Sequence, residues 1–213
     1  HHTPAYWYLL APVFSFFKAE TRSGDAVAFL FLARRLSWLF SGGILALTFL
    51  FVRRWQGPAA AWIAAVFTAF LVMFVELTFQ IRPDGLGLLC FSAFLLFLHR
   101  GIAGGPDAET ARPGRTFAAA GVFFGLALLC TQKFLLAGPG LAAATVWYLA
   151  DPRCPGTIER RCRNAALLAA GCAAPVLLVL GAFAAKGLFG AFIDANLRAN
   201  LDWAFRHSAD FFL

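Results

Sequence analysis

Residues 78–89 read TFQIRPDGLGLL and set Arg82 and Asp84 on either side of a proline, between two long apolar runs. Proline has a fixed φ and no N–H, so it suits the first turn of a helix, where that N–H would lack an intrahelical partner. An acidic side chain next to it faces the positive end of the helix dipole. The stretch therefore reads as the tip of a helical hairpin, with one helix arriving through Gln80 and another leaving from Asp84.

Working outward, the apolar runs on both sides match the length of a lipid bilayer. The chain of 213 residues is 61% hydrophobic and 14% charged, with 25 Phe, and its mean hydropathy is +0.73. About 20 apolar residues carry a helix across the ~30 Å hydrocarbon layer. Ala26–Val52 and Pro58–Ile81 are long enough to cross, and Asp84–Leu98 is somewhat short. Thr116–Tyr148 is too long for one straight helix and reads as two short spans meeting near Lys133, with further interruption at Gly138-Pro139-Gly140. Ala165–Ala185 is the last span, after the basic loop DPRCPGTIERRCRN. Pro4–Phe17 is too short to cross, and its Tyr6, Trp7 and Tyr8 suit the headgroup layer. The expectation is an all-α, polytopic transmembrane helix bundle of one domain. Residues 1–25 form an outer loop and interfacial helix, 26–185 hold about six spans, and 186–213 form an outer tail.

The basic residues set the orientation. Arg53, Arg54, Arg100, Arg112, Arg115, Arg153, Arg160, Arg161 and Arg163 fall on one side if the spans alternate, and Lys18, Arg22, Arg82, Lys133, Lys186, Arg198 and Arg206 on the other. Each loop of the first group is rich in arginine, so that side is expected to be cytoplasmic. The net charge of +7 comes from these clusters and forms no single stripe, which argues against nucleic acid. The five cysteines, Cys90, Cys130, Cys154, Cys162 and Cys172, form no CxxC pair and read as small apolar fillers. With no initiator Met and no signal-peptide pattern, the sequence reads as an internal piece of a longer chain.

Several polar residues need a reason. Arg34 and Arg35 lie about nine residues into the first span, and adjacent helical residues point about 100° apart. Snorkelling explains one of them, and the other is expected to face a polar cavity. Glu76 is costly inside a bilayer unless it is paired, for instance with Arg35, or faces water. Lys133 stands at the turn of the fourth and fifth spans. Lys133, Arg82, Asp84, Arg34 or Arg35, and His1-His2 share the outer face, where gathered cations suit a phosphate or diphosphate. Among the bland alternatives, Arg82-Pro83-Asp84 is simply a good turn and Lys133 an ordinary interfacial lysine. No P-loop, GxSxG, HExxH or close carboxylate pair is present.

The order of these features resembles a known family. HHTPAYWYLLAPVF (1–14), LARRLSWLFSGG (32–43), RPDGLGLLCFSAFLLFL (82–98) and GLALLCTQKFLLAGPGL (125–141) are similar, in order and spacing, to elements of the dolichyl-phosphate-mannose protein mannosyltransferase-like family. That family includes the lipid A aminoarabinose transferases and belongs to the GT-C superfamily. The resemblance covers roughly residues 1–150. It implies a membrane glycosyltransferase that moves a sugar from a polyprenyl-phosphate donor to a protein, lipid or glycan acceptor. The active side would be the outer face, the periplasmic face of a bacterial inner membrane. Arg35, Arg82 and Lys133 would hold the carrier phosphate, and His1, His2 and Asp84 would surround the sugar and acceptor. The family's acidic base lies in a first outer loop that this sequence lacks, so the piece alone is expected to be inactive and the base unnamed. The resemblance also allows a divalent metal, although no residue cluster here displays one.

A transporter or flippase for an anionic or lipid-linked substrate competes with this reading. It would use Glu76, Arg34, Arg35 and Lys133 as a substrate or proton path. Against it, the polar residues favour one face and the hairpins show no repeated half. A purely structural subunit would leave the outer charges without a common purpose.

Overall fold

The computed structural model describes residues 23–80, 83–103, 113–154, 156–194 and 198. Among them every regular element is helical. In chain order they are α1 (Ser23–Gln56), α2 (Pro58–Phe70), α3 (Val72–Phe79), α4 (Pro83–Ala103) and α5 (Pro113–Cys130). A 3₁₀ turn, Gln132–Ala137, follows, then α6 (Gly138–Ala150), α7 (Ile158–Ala185) and the short α8 (Phe189–Ile193).

Side-chain contacts fix the direction of each pass. The Thr78 hydroxyl donates to that of Ser41 at 3.0 Å, and Phe49 and Trp62 rings lie 4.9 Å apart, so α2 and α3 return antiparallel to α1. Phe51 meets His99 at 5.3 Å, which makes α4 parallel to α1. Phe97 stacks on Phe123 at 5.4 Å and Phe117 meets Tyr148 at 5.4 Å, so α5 and α6 reverse in turn. The glycines of α5 then meet α7 in parallel register. The described residues thus make six alternating passes. Gln80, Asp84 and Lys133 lie at one end of the bundle, here the Asp84 end. Arg53, Arg54, Arg100, Arg115, Arg153, Arg160, Arg161 and Arg163 lie at the other, the Arg100 end.

Among the described residues four helical stretches are long and apolar enough to cross a membrane: Val27–Gln56, Pro83–Ala103, Lys133–Ala150, which joins the 3₁₀ turn to α6, and Ile158–Ala185. Pro58–Phe70 and Gly114–Cys130 are shorter apolar helices. The long run 116–148 is a hairpin, as expected, although its turn is an extended Thr131 (φ −155, ψ 137) followed by the 3₁₀ turn. Gly138-Pro139-Gly140 does not interrupt a helix there but starts α6, with proline in its first turn.

Several expected boundaries move. The second span is two helices, broken where Leu71 turns extended (φ −62, ψ 127). The Thr68 hydroxyl donates to the Ala64 carbonyl at 2.8 Å, the kind of back-bond that bends helices, and Leu71 N–H falls back on Thr68 O at 3.2 Å. The third span is longer than Asp84–Leu98, with 21 residues in α4. The last one begins at Ile158, seven residues before Ala165, because Thr157 caps it by accepting from the Arg160 N–H at 3.4 Å. Half of the expected basic loop is therefore helix.

The level of Arg34 and Arg35 along the bundle follows from α1. At 1.5 Å per residue the 34-residue α1 is about 51 Å long, well beyond the hydrocarbon layer. The Ser37 hydroxyl donates to Gln80 O at 3.2 Å, so Arg34 and Arg35 stand level with the hairpin tip.

Inside a bilayer, lipid tails compete with side chains for apolar contact, so small residues that let helices approach closely decide the packing. A Cβ on Gly121 would fall on the Leu168 carbonyl and within 2.8 Å of Cys172 N, and one on Gly171 on the Ala118 carbonyl and within 3.1 Å of Val122 N. Around this α5–α7 seam sit buried Phe94, Phe117, Phe124, Tyr148 and Leu168. The outward faces carry Leu39, Phe70, Val72, Leu136 and Leu178, all exposed as lipid-facing residues are. All five cysteines are free thiols. Cys90, Cys130 and Cys154 are buried fillers, whereas Cys162 is exposed on α7 and fills nothing.

Candidate functional site at the Asp84 end

Asp84 sits in the first turn of α4, after a Pro83 whose side chain is fully buried. Its carboxylate meets the Lys133 ammonium through both oxygens, at 3.2 and 3.3 Å. The pair spans 49 positions of sequence and joins the two hairpin tips that the sequence places on one face.

Packing beneath the pair explains how Lys133 reaches it. Gly87 lies one turn into α4, and a Cβ there would stand 2.8 Å from Phe134 Cε2 and 3.2 Å from both Cys130 Cβ and Thr131 Cγ2. The missing side chain is the seat of the hairpin tip. Phe134 then stacks on Phe91 at 5.0 Å and 20°, and its neighbour Lys133 is delivered over the first turn of α4.

The two partners differ in freedom. The Asp84 side chain is 18% exposed and that of Lys133 74%. Exposed pairs of this kind contribute about 0.2–1 kcal/mol, so the contact positions charge more than it stabilises the fold. Lys133 lies at the exposed end of a flexible four-carbon stem, while Asp84 is held by its helix.

The remaining candidates divide. Arg34 and Arg35 are exposed at the same end, and neither forms an ion pair among the described residues. Glu76 is exposed, deeper than Gln80, and likewise has no ion pair among the described residues, so the expected partnership with Arg35 is not formed. Arg82, His1 and His2, with the interfacial helix Pro4–Phe17, lie outside the described residues. Among the described residues no three His, Cys, Asp or Glu side chains gather to hold a metal ion.

The sequence reading missed a second polar cluster, at the Arg100 end. Arg161 is 9% exposed, and its Nη1 donates to the carbonyls of Tyr148 at 3.2 Å and Asp151 at 2.6 Å. It thereby gives the Tyr148 carbonyl, at the end of α6, a donor and adds a second one to the Asp151 carbonyl, which also accepts from the Cys154 N–H at 3.1 Å. The Asn164 amide donates to the Tyr148 hydroxyl at 3.1 Å. A shallow apolar crevice lined by Leu98, Phe117, Leu141, Tyr148 and Leu168 lies beside the cluster, away from Asp84. The signal was legible in the spacing: 161, 164, 168 and 171 are the buried positions of α7 and form one helical stripe.

Comparison with known proteins adds one match. The model of a family described as dolichyl-phosphate-mannose-protein mannosyltransferase matches residues 1–179. No curated protein and no solved structure matches the chain.

Proposed function

Because the chain belongs to the dolichyl-phosphate-mannose-protein mannosyltransferase family, membrane glycosyltransferases of the GT-C type, we propose that its Asp84 end helps transfer a sugar from a polyprenyl-phosphate donor. The acceptor is a hydroxyl-bearing protein, lipid or glycan. The observation that carries this reading is the Lys133–Asp84 pair, which sets a cation for a phosphate beside a carboxylate for hydroxyl groups.

In this account the anomeric carbon gains a bond to the acceptor oxygen and loses its bond to the phosphate oxygen, which leaves with the electron pair. Lys133, with Arg34 and Arg35 at the same end of the bundle and with Arg82, stabilises the charge that develops on that phosphate. Asp84, with His1 and His2, holds hydroxyls of the sugar or acceptor. A base elsewhere takes the acceptor proton. The arginine-rich Arg100 end faces the cytoplasm by the positive-inside rule, so transfer takes place on the opposite, periplasmic face of a bacterial inner membrane.

The test uses the complete protein in lipid nanodiscs, with radiolabelled polyprenyl-phosphate mannose and total membrane acceptors. Lys133→Ala and Arg82→Ala are expected to lose transfer while inserting normally. Normal transfer by both variants removes these residues from the site. The transporter reading draws on one observation, the break at Leu71 above an unpaired Glu76. Substrate uptake into sealed vesicles without any transfer would favour it.

A further inference from the structure

The geometry points to Lys133 as a latch on Asp84 that the donor phosphate opens, so that the carboxylate becomes available only when the carrier is in place. The inference rests on the transferase reading and adds an order of events to it.

Both ammonium–oxygen distances, 3.2 and 3.3 Å, are those of a lysine astride a carboxylate. While that contact persists, the cation is occupied and the carboxylate has its acceptor sites partly filled. Neither group is free for a ligand. The asymmetry of exposure says which one moves: Lys133 is 74% exposed, Asp84 18%. The seat of Phe134 against Gly87 and Phe91 holds the backbone of the tip, so only the lysine stem has to swing. A phosphate offers this ammonium several strong acceptor oxygens, and an exposed, solvent-screened pair gives little resistance. The exchange leaves Asp84 unpaired in the first turn of α4, facing the positive end of the helix dipole. There it accepts hydrogen bonds from a sugar or acceptor hydroxyl. Without carrier, the site engages an acceptor less readily.

A water-soluble carbodiimide reads the latch directly. It activates a carboxylate and lets an adjoining amine displace the urea, forming an amide with loss of one water. In the complete protein in nanodiscs it should link Asp84 to Lys133, giving a cross-linked peptide pair that mass spectrometry identifies and that Asp84→Asn abolishes. Farnesyl phosphate is expected to lower the yield about fivefold or more, as for a two-state contact whose occupancy a ligand shifts. Farnesol, and sodium chloride at matched ionic strength, should leave it unchanged. The proposal is overturned if the link does not form without phosphate, if farnesyl phosphate does not change it, or if salt alone suppresses it equally. The readout is occupancy, not turnover. Normal transfer by Lys133→Ala would refute the transferase role separately.

Discussion

Gly87→Val puts the account under strain without touching a charged group. The added Cβ would meet Phe134 Cε2 at 2.8 Å and two further atoms at 3.2 Å, and valine adds two methyl groups to that. Phe134 has little room to turn away, because its ring already stacks on Phe91 at 5.0 Å. The relief is a shift of the tip away from α4. Overpacking of this kind costs about 1–3 kcal/mol, so the protein should still fold, with a lower unfolding temperature. Function should suffer more than stability. Lys133 precedes Phe134, and a misplacement of about 1 Å in a catalytic group can cost roughly 10²-fold in rate. The expected loss in kcat/KM is therefore on the order of 10- to 100-fold in the nanodisc transfer assay. Gly85→Ala is the matched control, since nothing lies within 4 Å of a Cβ there, and it should keep full activity. Wild-type kinetics in Gly87→Val, or equal damage in Gly85→Ala, would refute the idea that Gly87 seats the lysine.

Other consequences follow from the packing at the far end. Arg161→Ala strips the Tyr148 carbonyl of its side-chain donor and leaves the Asp151 carbonyl with the Cys154 N–H alone, and it should destabilise the protein by about 1–3 kcal/mol, read as a lower melting temperature, with donor KM unchanged in the folded fraction. Gly121→Leu collides with the backbone of α7, and the variant should fail to give a monodisperse peak in detergent, whereas Gly42→Ala, which meets nothing within 4 Å, should behave as wild type. Cys162 is exposed in the first turns of α7. In sealed right-side-out vesicles an impermeant maleimide should leave it unlabelled, and it should react once the membrane is opened.

The sequence carried the hairpin at residues 78–89 because proline and an acidic neighbour act locally, through φ and the helix dipole. It also placed Asp84 and Lys133 on one face, since alternation of passes is enough for that. It could not join them: the contact depends on Gly87 being a seat for Phe134, and a lone glycine in an apolar run has no local signature. The break at Leu71 was hidden for a related reason. Neither Gly nor Pro marks it, and the Thr68 back-bond competes with a helix only weakly. Arg161 was legible but read as one more loop charge, because the stripe formed with Asn164 and Leu168 crosses from basic to apolar composition.

The most direct test of the central claim, that Asp84 and Lys133 serve substrates as well as each other, exchanges the pair. Asp84→Lys combined with Lys133→Asp keeps opposite charges in contact and removes each from its proposed ligand. The account predicts a protein that inserts and melts near wild type yet transfers at least about 10²-fold more slowly, as removal of a positioned electrostatic group does. Recovery of wild-type transfer in the exchanged variant, with both single substitutions impaired, would contradict it and reduce the pair to a structural link between two hairpin tips.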